Sequence, residues 1–72
     1  MSFAPAAGKL TRAERAVALH VLDGWSNARI AKARGVSIRT IANQLASLFR
    51  KTAVYSRAEL AARYTAADLL AM

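Results

Sequence analysis

Apolar positions along the chain recur at intervals of three and four residues, and nowhere do they alternate long enough for a strand. Val17, Ala18, Val21 and Leu22 share one side of a first segment, and Ile30, Ala31 and Ala33 form a narrower stripe in a second. In a third, Ile38, Ile41, Leu45, Leu48 and Phe49 make an inner face; Leu60 and Tyr64 do the same in a fourth. Polar residues mark the ends of these stripes. Thr11-Arg12-Ala13-Glu14 and Ser56-Arg57-Ala58-Glu59 fit a capping box, in which a hydroxyl and a carboxylate each satisfy an orphan backbone donor. Thr65-Ala66-Ala67-Asp68 is a version with a shorter acid, and Ser26 and Ser37 mark two more starts. Apolar residues ahead of the caps suit hydrophobic staples: Trp25 to Ile30, Val36 to Ile41, Tyr55 to Leu60. Gly24 and Gly35 stand where helices close in the left-handed conformation. The pattern predicts an all-α chain with helices over about 12–23, 27–34, 38–51 and 57–64 and a short fifth over 66–71. Residues 1–9, with Pro5 and Gly8, are expected to form a frayed arm.

Composition narrows the class. Of the 72 residues 56% are apolar, but 18 are alanine, which leaves 22 large apolar side chains for a core. That supports one small domain over 10–72 and no second one. Without cysteine there is no disulfide framework and no zinc-thiolate site, and His20 is the sole histidine. No metal and no cofactor are therefore expected. A chain this short has no depth for a substrate pocket of several hundred Å³, so an enzyme is the least favoured class and no catalytic residues are assigned. Residues 1–9 lack the basic and apolar regions of a signal peptide, and no apolar run approaches the ~20 residues of a membrane span. The cytoplasm is the simplest expected compartment.

Eleven Lys and Arg stand against four Asp and Glu, a formal charge of +7, which points to a polyanionic partner. Between Glu14 and Glu59 the sole carboxylate is Asp23. The outer side of the third predicted helix carries Arg39, Ala42, Asn43, Ala46, Ser47 and Arg50, with no acid at all. Two helices joined through Gly35-Val36-Ser37 make a helix-turn-helix over about 26–51. A polar, acid-free face is what insertion into a major groove requires. There Asn43 can bridge the adenine edge atoms, while Ala42 or Ala46 permits close approach and can touch a thymine methyl. Basic helix pairs also occur in proteins that bind no DNA, so an interaction module remains open on this reading.

Leu10-Thr11, Glu14, Val17, Gly24, Ser26-Asn27, Ile30-Ala31, Val36-Ser37, Thr40-Ile41, Leu45, Lys51, Val54 and Ser56-Arg57-Ala58-Glu59-Leu60 fall in a familiar order and spacing. Over Leu10 to Ala62 the chain resembles the LuxR-type (GerE-type) helix-turn-helix domain of bacterial transcription regulators. The resemblance implies a four-helix domain, here with the short fifth helix added, whose third helix enters the major groove of double-stranded DNA. It implies phosphate contacts at Ser26, Asn27, Thr40 and Lys51, and a homodimer formed through the fourth helix. The chain departs from the pattern at several points. Ala42 stands where a base-reading lysine is often found, Gln44 replaces a common histidine, Thr52 a leucine, and Ala53 a frequent glycine. Base reading then shifts to Asn43, Gln44, Ser47 and Arg50, with Arg39 and Arg50 also expected as backbone contacts.

The expected dimer surface comprises Arg57, Ala58, Ala61 and Ala62 with Leu69 beyond them; Tyr64 and the pair Leu69-Leu70 suit either core or partner surface. Trp25 fits a staple better than a nucleotide stack, and His20 is read as an ordinary flank residue. The function expected is a DNA-binding transcriptional regulator, or the DNA-binding domain of one. The alternative is a protein-interaction module of the same fold that docks on RNA polymerase or another regulator, favoured by Ala42 in place of lysine. A membrane surface is disfavoured, because the apolar faces are needed for the core.

Overall fold

A computed structural model describes residues 9–72, so the arm expected over 1–9 lies, Lys9 apart, outside the described residues. Five helices follow one another: α1 (Arg12–Leu22), α2 (Asn27–Arg34), α3 (Ile38–Thr52), α4 (Arg57–Arg63) and α5 (Ala66–Leu70). Among the described residues there is no strand, and no helix is long and apolar enough to cross a membrane.

Each helix opens on a hydroxyl. Thr11, Ser26, Ser37, Ser56 and Thr65 all sit in extended backbone and accept from the amide three residues on. Thr11 with Glu14, and Thr65 with Asp68, complete reciprocal capping boxes. The Ser56 box is only half made, because the Glu59 carboxylate accepts from the Tyr55 amide, one residue earlier, at 2.6 Å. Tyr55 itself is 93% exposed, so the expected staple onto Leu60 does not form.

Three helices close by one device. After α1, the Trp25 amide donates to the His20 carbonyl and the Gly24 amide to Val21; Val36 to Ala31 with Gly35 to Lys32 repeats the pair after α2. After α3, Val54 donates to Phe49 and Ala53 to Arg50. This is the Schellman arrangement, which turns the residue after the helix into the left-handed region. Gly24 (φ 82°) and Gly35 (φ 69°) take that conformation freely, but after α3 it falls on Ala53 at φ 59°. The glycine-to-alanine departure thus sits at the one place, among the described residues, where a side chain opposes a left-handed backbone.

The core gathers Val17, Ala18 and Val21 of α1, Ile30 and Ala31 of α2, and Ile41, Leu45 and Leu48 of α3. Leu60 of α4, Leu69 of α5 and the flanking Leu10 and Val54 close it. Thr52, in place of a leucine, is 1% exposed; its hydroxyl donates back to the Leu48 carbonyl at 2.8 Å, so the polar atom is satisfied inside the helix. The Tyr64 hydroxyl donates to the Thr52 carbonyl and ties the end of α4 to α3. Three expectations need correction. Ala33 is exposed, Ile38 is 55% exposed because the buried row of α3 begins one turn later at Ile41, and Leu69 is fully buried within the single chain.

At the junction of α1 and α2, Trp25 packs against the core with its ring stacked on His20, centroids 4.2 Å apart. The Arg29 guanidinium lies 3.9 Å from the same ring. The staple position thus becomes a stack, and both neighbours leave the indole little surface for a nucleotide base.

Candidate nucleic-acid interface

The helix starts fall into two chemical classes. α1, α4 and α5 each carry an acid in the first turn, Glu14, Glu59 and Asp68, where it complements the positive end of the helix dipole. α2 and α3 carry none. The corresponding positions hold Arg29 and Thr40, and Arg39 adds a cation to the first turn of α3. Such an acid contributes about 0.3–1 kcal/mol per helix, and both helices forgo it. The first turns of both helices thus carry no carboxylate to complement the helix dipole.

α3 presents one continuous solvent face. Arg39, Ala42, Asn43, Ala46 and Arg50 are all exposed, spaced at three and four residues, opposite the buried row Ile41, Leu45, Leu48 and Thr52. Thr40 is half-buried, with its hydroxyl 3.0 Å from that of Ser37. Gln44 is half-buried too, and its amide oxygen is enclosed without a partner. α2 adds the exposed Ser26 at its start and, at its other end, the exposed Lys32 and Arg34.

Two of the residues assigned to DNA turn inward. The Lys51 ammonium donates to Glu14 Oε1 at 2.8 Å and to the Lys9 carbonyl at 3.3 Å, and its side chain is 22% exposed. The Ser47 hydroxyl donates to Glu14 Oε2 at 2.6 Å. Glu14, 6% exposed, thereby binds the first turn of α1 and the last two turns of α3 to one carboxylate. Burial opposes its charge, yet the hydrogen bonds from Lys51, Ser47 and the Thr11 amide, with the Lys51 charge, bring it from an ordinary 4.5 down to about 2. Lys51 and Ser47 are thus chiefly parts of the scaffold under α3. Arg50, one residue before Lys51, points outward and rests a guanidinium nitrogen 3.4 Å from the Ser47 hydroxyl.

Asn27 is half-buried and its Oδ1 accepts from the Arg57 guanidinium, which also donates to the Trp25 carbonyl at 2.7 Å. Arg57 is therefore a clasp between α4 and the α1–α2 junction. It fixes the Asn27 amide plane and leaves its NH₂ as the donor for an outside acceptor. On α4, Ala58, Ala61 and Ala62 are exposed, whereas Arg57 and Leu69 are taken up within the single chain; on α5 the exposed large apolar side chain is Leu70, at 58%.

Sequence reasoning did not find the Glu14 and Arg57 networks. Their partners lie 37 and 30 residues away, so helical periodicity carries no trace of them. An open groove of about 520 Å³, lined by Phe49, Arg50, Ala53, Val54 and Tyr55, also goes beyond the expectation of no sizeable pocket. Its lining pairs no nucleophile with a base. Among the described residues no cluster of His, Asp and Glu could hold a metal ion.

The GerE family model, bacterial regulatory proteins of the luxR family, matches residues 8–64. No curated protein and no solved structure matches the chain.

Proposed function

The chain belongs to the luxR family of bacterial regulatory proteins, a family of DNA-binding transcription regulators, and from that premise we propose that α3 enters the major groove of duplex DNA. The observation that carries this reading is the withdrawal of acid from the first turns of α2 and α3 alone. Phosphates take the place of that acid. Ser26 and the Asn27 amide at the start of α2, and Arg39 and Thr40 at the start of α3, set the register on the backbone. Arg50 adds a further cation at the far end of α3. Asn43 is the side chain on the exposed face able to make a two-point contact with adenine, and Ala42 keeps that face close to the base edges. Lys51 and Ser47 serve by holding Glu14 and so the angle of α3, rather than by touching DNA.

A symmetric dimer through Ala58, Ala61 and Ala62 of α4, extended by Leu70, places two α3 helices in successive major grooves. A second reading, docking on RNA polymerase or another regulator, draws on Ala42, which removes the charge often used for base contact in this family.

Selection of bound duplexes from a random library tests the first reading. A recovered motif, together with binding that falls steeply with salt, supports it. Recovery of no motif, with salt-insensitive or absent duplex binding, favours the docking reading.

A further inference from the structure

Ile38 opens α3 and leaves more than half of its surface in water, at 55% exposure. The helix start does not explain it. A β-branched residue gains nothing at this position, where proline or an acid would help. Its neighbours make the site more specific. Residues four apart lie one above the other on a helix, so the exposed Ile38, Ala42 and Ala46 form an apolar row along α3. Arg39, Asn43 and Arg50 run beside it on the same solvent face. The row covers about 12 Å of helix axis, the height of roughly three base pairs.

Resting on the proposed docking of α3, we propose that Ile38 is a specificity-determining residue that packs on the 5-methyl group of thymine. The charge of the face commits it to this occupant. A protein partner would meet Arg39 and Arg50 with no acid on α3 to balance them, whereas the phosphates that flank a major groove supply that balance. Within the groove the thymine methyl is the one apolar feature a base pair presents. The first turn of a groove-bound helix is also the part that reaches base edges. Ala42, one turn on, is small enough not to hold Ile38 away from them.

The test uses the full 72-residue chain and the duplex recovered by library selection, with each thymine replaced in turn by deoxyuridine, which lacks only the methyl. One or two positions are expected to lose about threefold to tenfold in affinity, the scale of one buried methyl. Ile38→Ala should erase that difference while binding the uridine duplex as the parent does, because only the methyl contact is removed. Its melting temperature should match the parent's, since the side chain lies outside the core. The proposal is overturned if no uridine substitution matters, if the motif holds no thymine, or if Ile38→Ala keeps the full uridine penalty. Sequence-selective, salt-dependent binding in any of those cases leaves the docking of α3 standing. Absence of all duplex binding removes both.

Discussion

The Lys51 ammonium lies 2.8 Å from Glu14 Oε1, so the last turn of α3 is held to the first turn of α1 by an ion pair spanning 37 residues. Glu14 is at the same time the capping acid of α1 and the acceptor for Ser47. One carboxylate therefore sets both where α1 begins and how α3 lies across it.

The pair makes the fold acid-sensitive in a definite window. With the folded value of Glu14 near 2 and the ordinary one at 4.5, ionised Glu14 contributes about 3 kcal/mol that is present above pH ~4.5 and lost as pH falls towards ~2. The sign follows from depression of the folded value: the unfolded chain takes up the proton first. Urea midpoints measured from pH ~6 down to ~2 should fall in the parent, and fall less in Glu14→Gln. A parent midpoint that stays flat through the window would show that the pair adds nothing.

Lys51→Ala and Arg50→Ala should differ in kind. Removing the ammonium strands a buried carboxylate, at a cost of about 2–3 kcal/mol given the partial exposure of Lys51. Removing Arg50 should leave the melting temperature unchanged and lower the salt slope of duplex binding by about one ion. If Lys51→Ala melts like the parent and only weakens DNA binding, its ammonium serves phosphate after all.

The starts, stops and order of the helices are legible in the sequence because caps and periodicity are local. Thr11, Ser26, Ser37, Ser56 and Thr65 each act within three residues of themselves. Burial at helix ends is not local. Ile38 fits the apolar spacing of α3 yet lies outside the core, while Leu69 fits an exposed patch yet is fully buried. Lys51 shows the same limit for the site: its charge is plain in the sequence, but the acid that engages it comes from another helix.

Ala53→Gly should stabilise the chain by about 0.5–1 kcal/mol and raise Tm by a few degrees, because φ 59° is strained for alanine and free for glycine. Gly35→Ala is the converse. A Cβ there meets nothing within 4 Å, so its cost of about 1 kcal/mol is backbone strain alone. Equal Tm for parent and Ala53→Gly would mean that the corner after α3 relaxes in solution.

Ala61→Glu should abolish cooperative filling of two half-sites and spare a single one, since Ala61 is exposed on α4 and the change would place like charges across the proposed two-fold axis. Analytical ultracentrifugation of the variant on one-site and two-site duplexes reads this directly. Unchanged cooperativity puts the dimer surface on another face.

Trp25 is the sole tryptophan, so all indole emission of the chain originates at the joint between α1 and α2. The cation against that ring is Arg29, which stands where three other helices place an acid. A phosphate arriving at the start of α2 competes with the ring for that guanidinium. With the proposed docking, indole emission would report backbone contact at α2 and be blind to what α3 reads. Saturation with a duplex of arbitrary sequence should change the emission as much as saturation with the selected one, and emission indifferent to both would mean that Arg29 never leaves the indole.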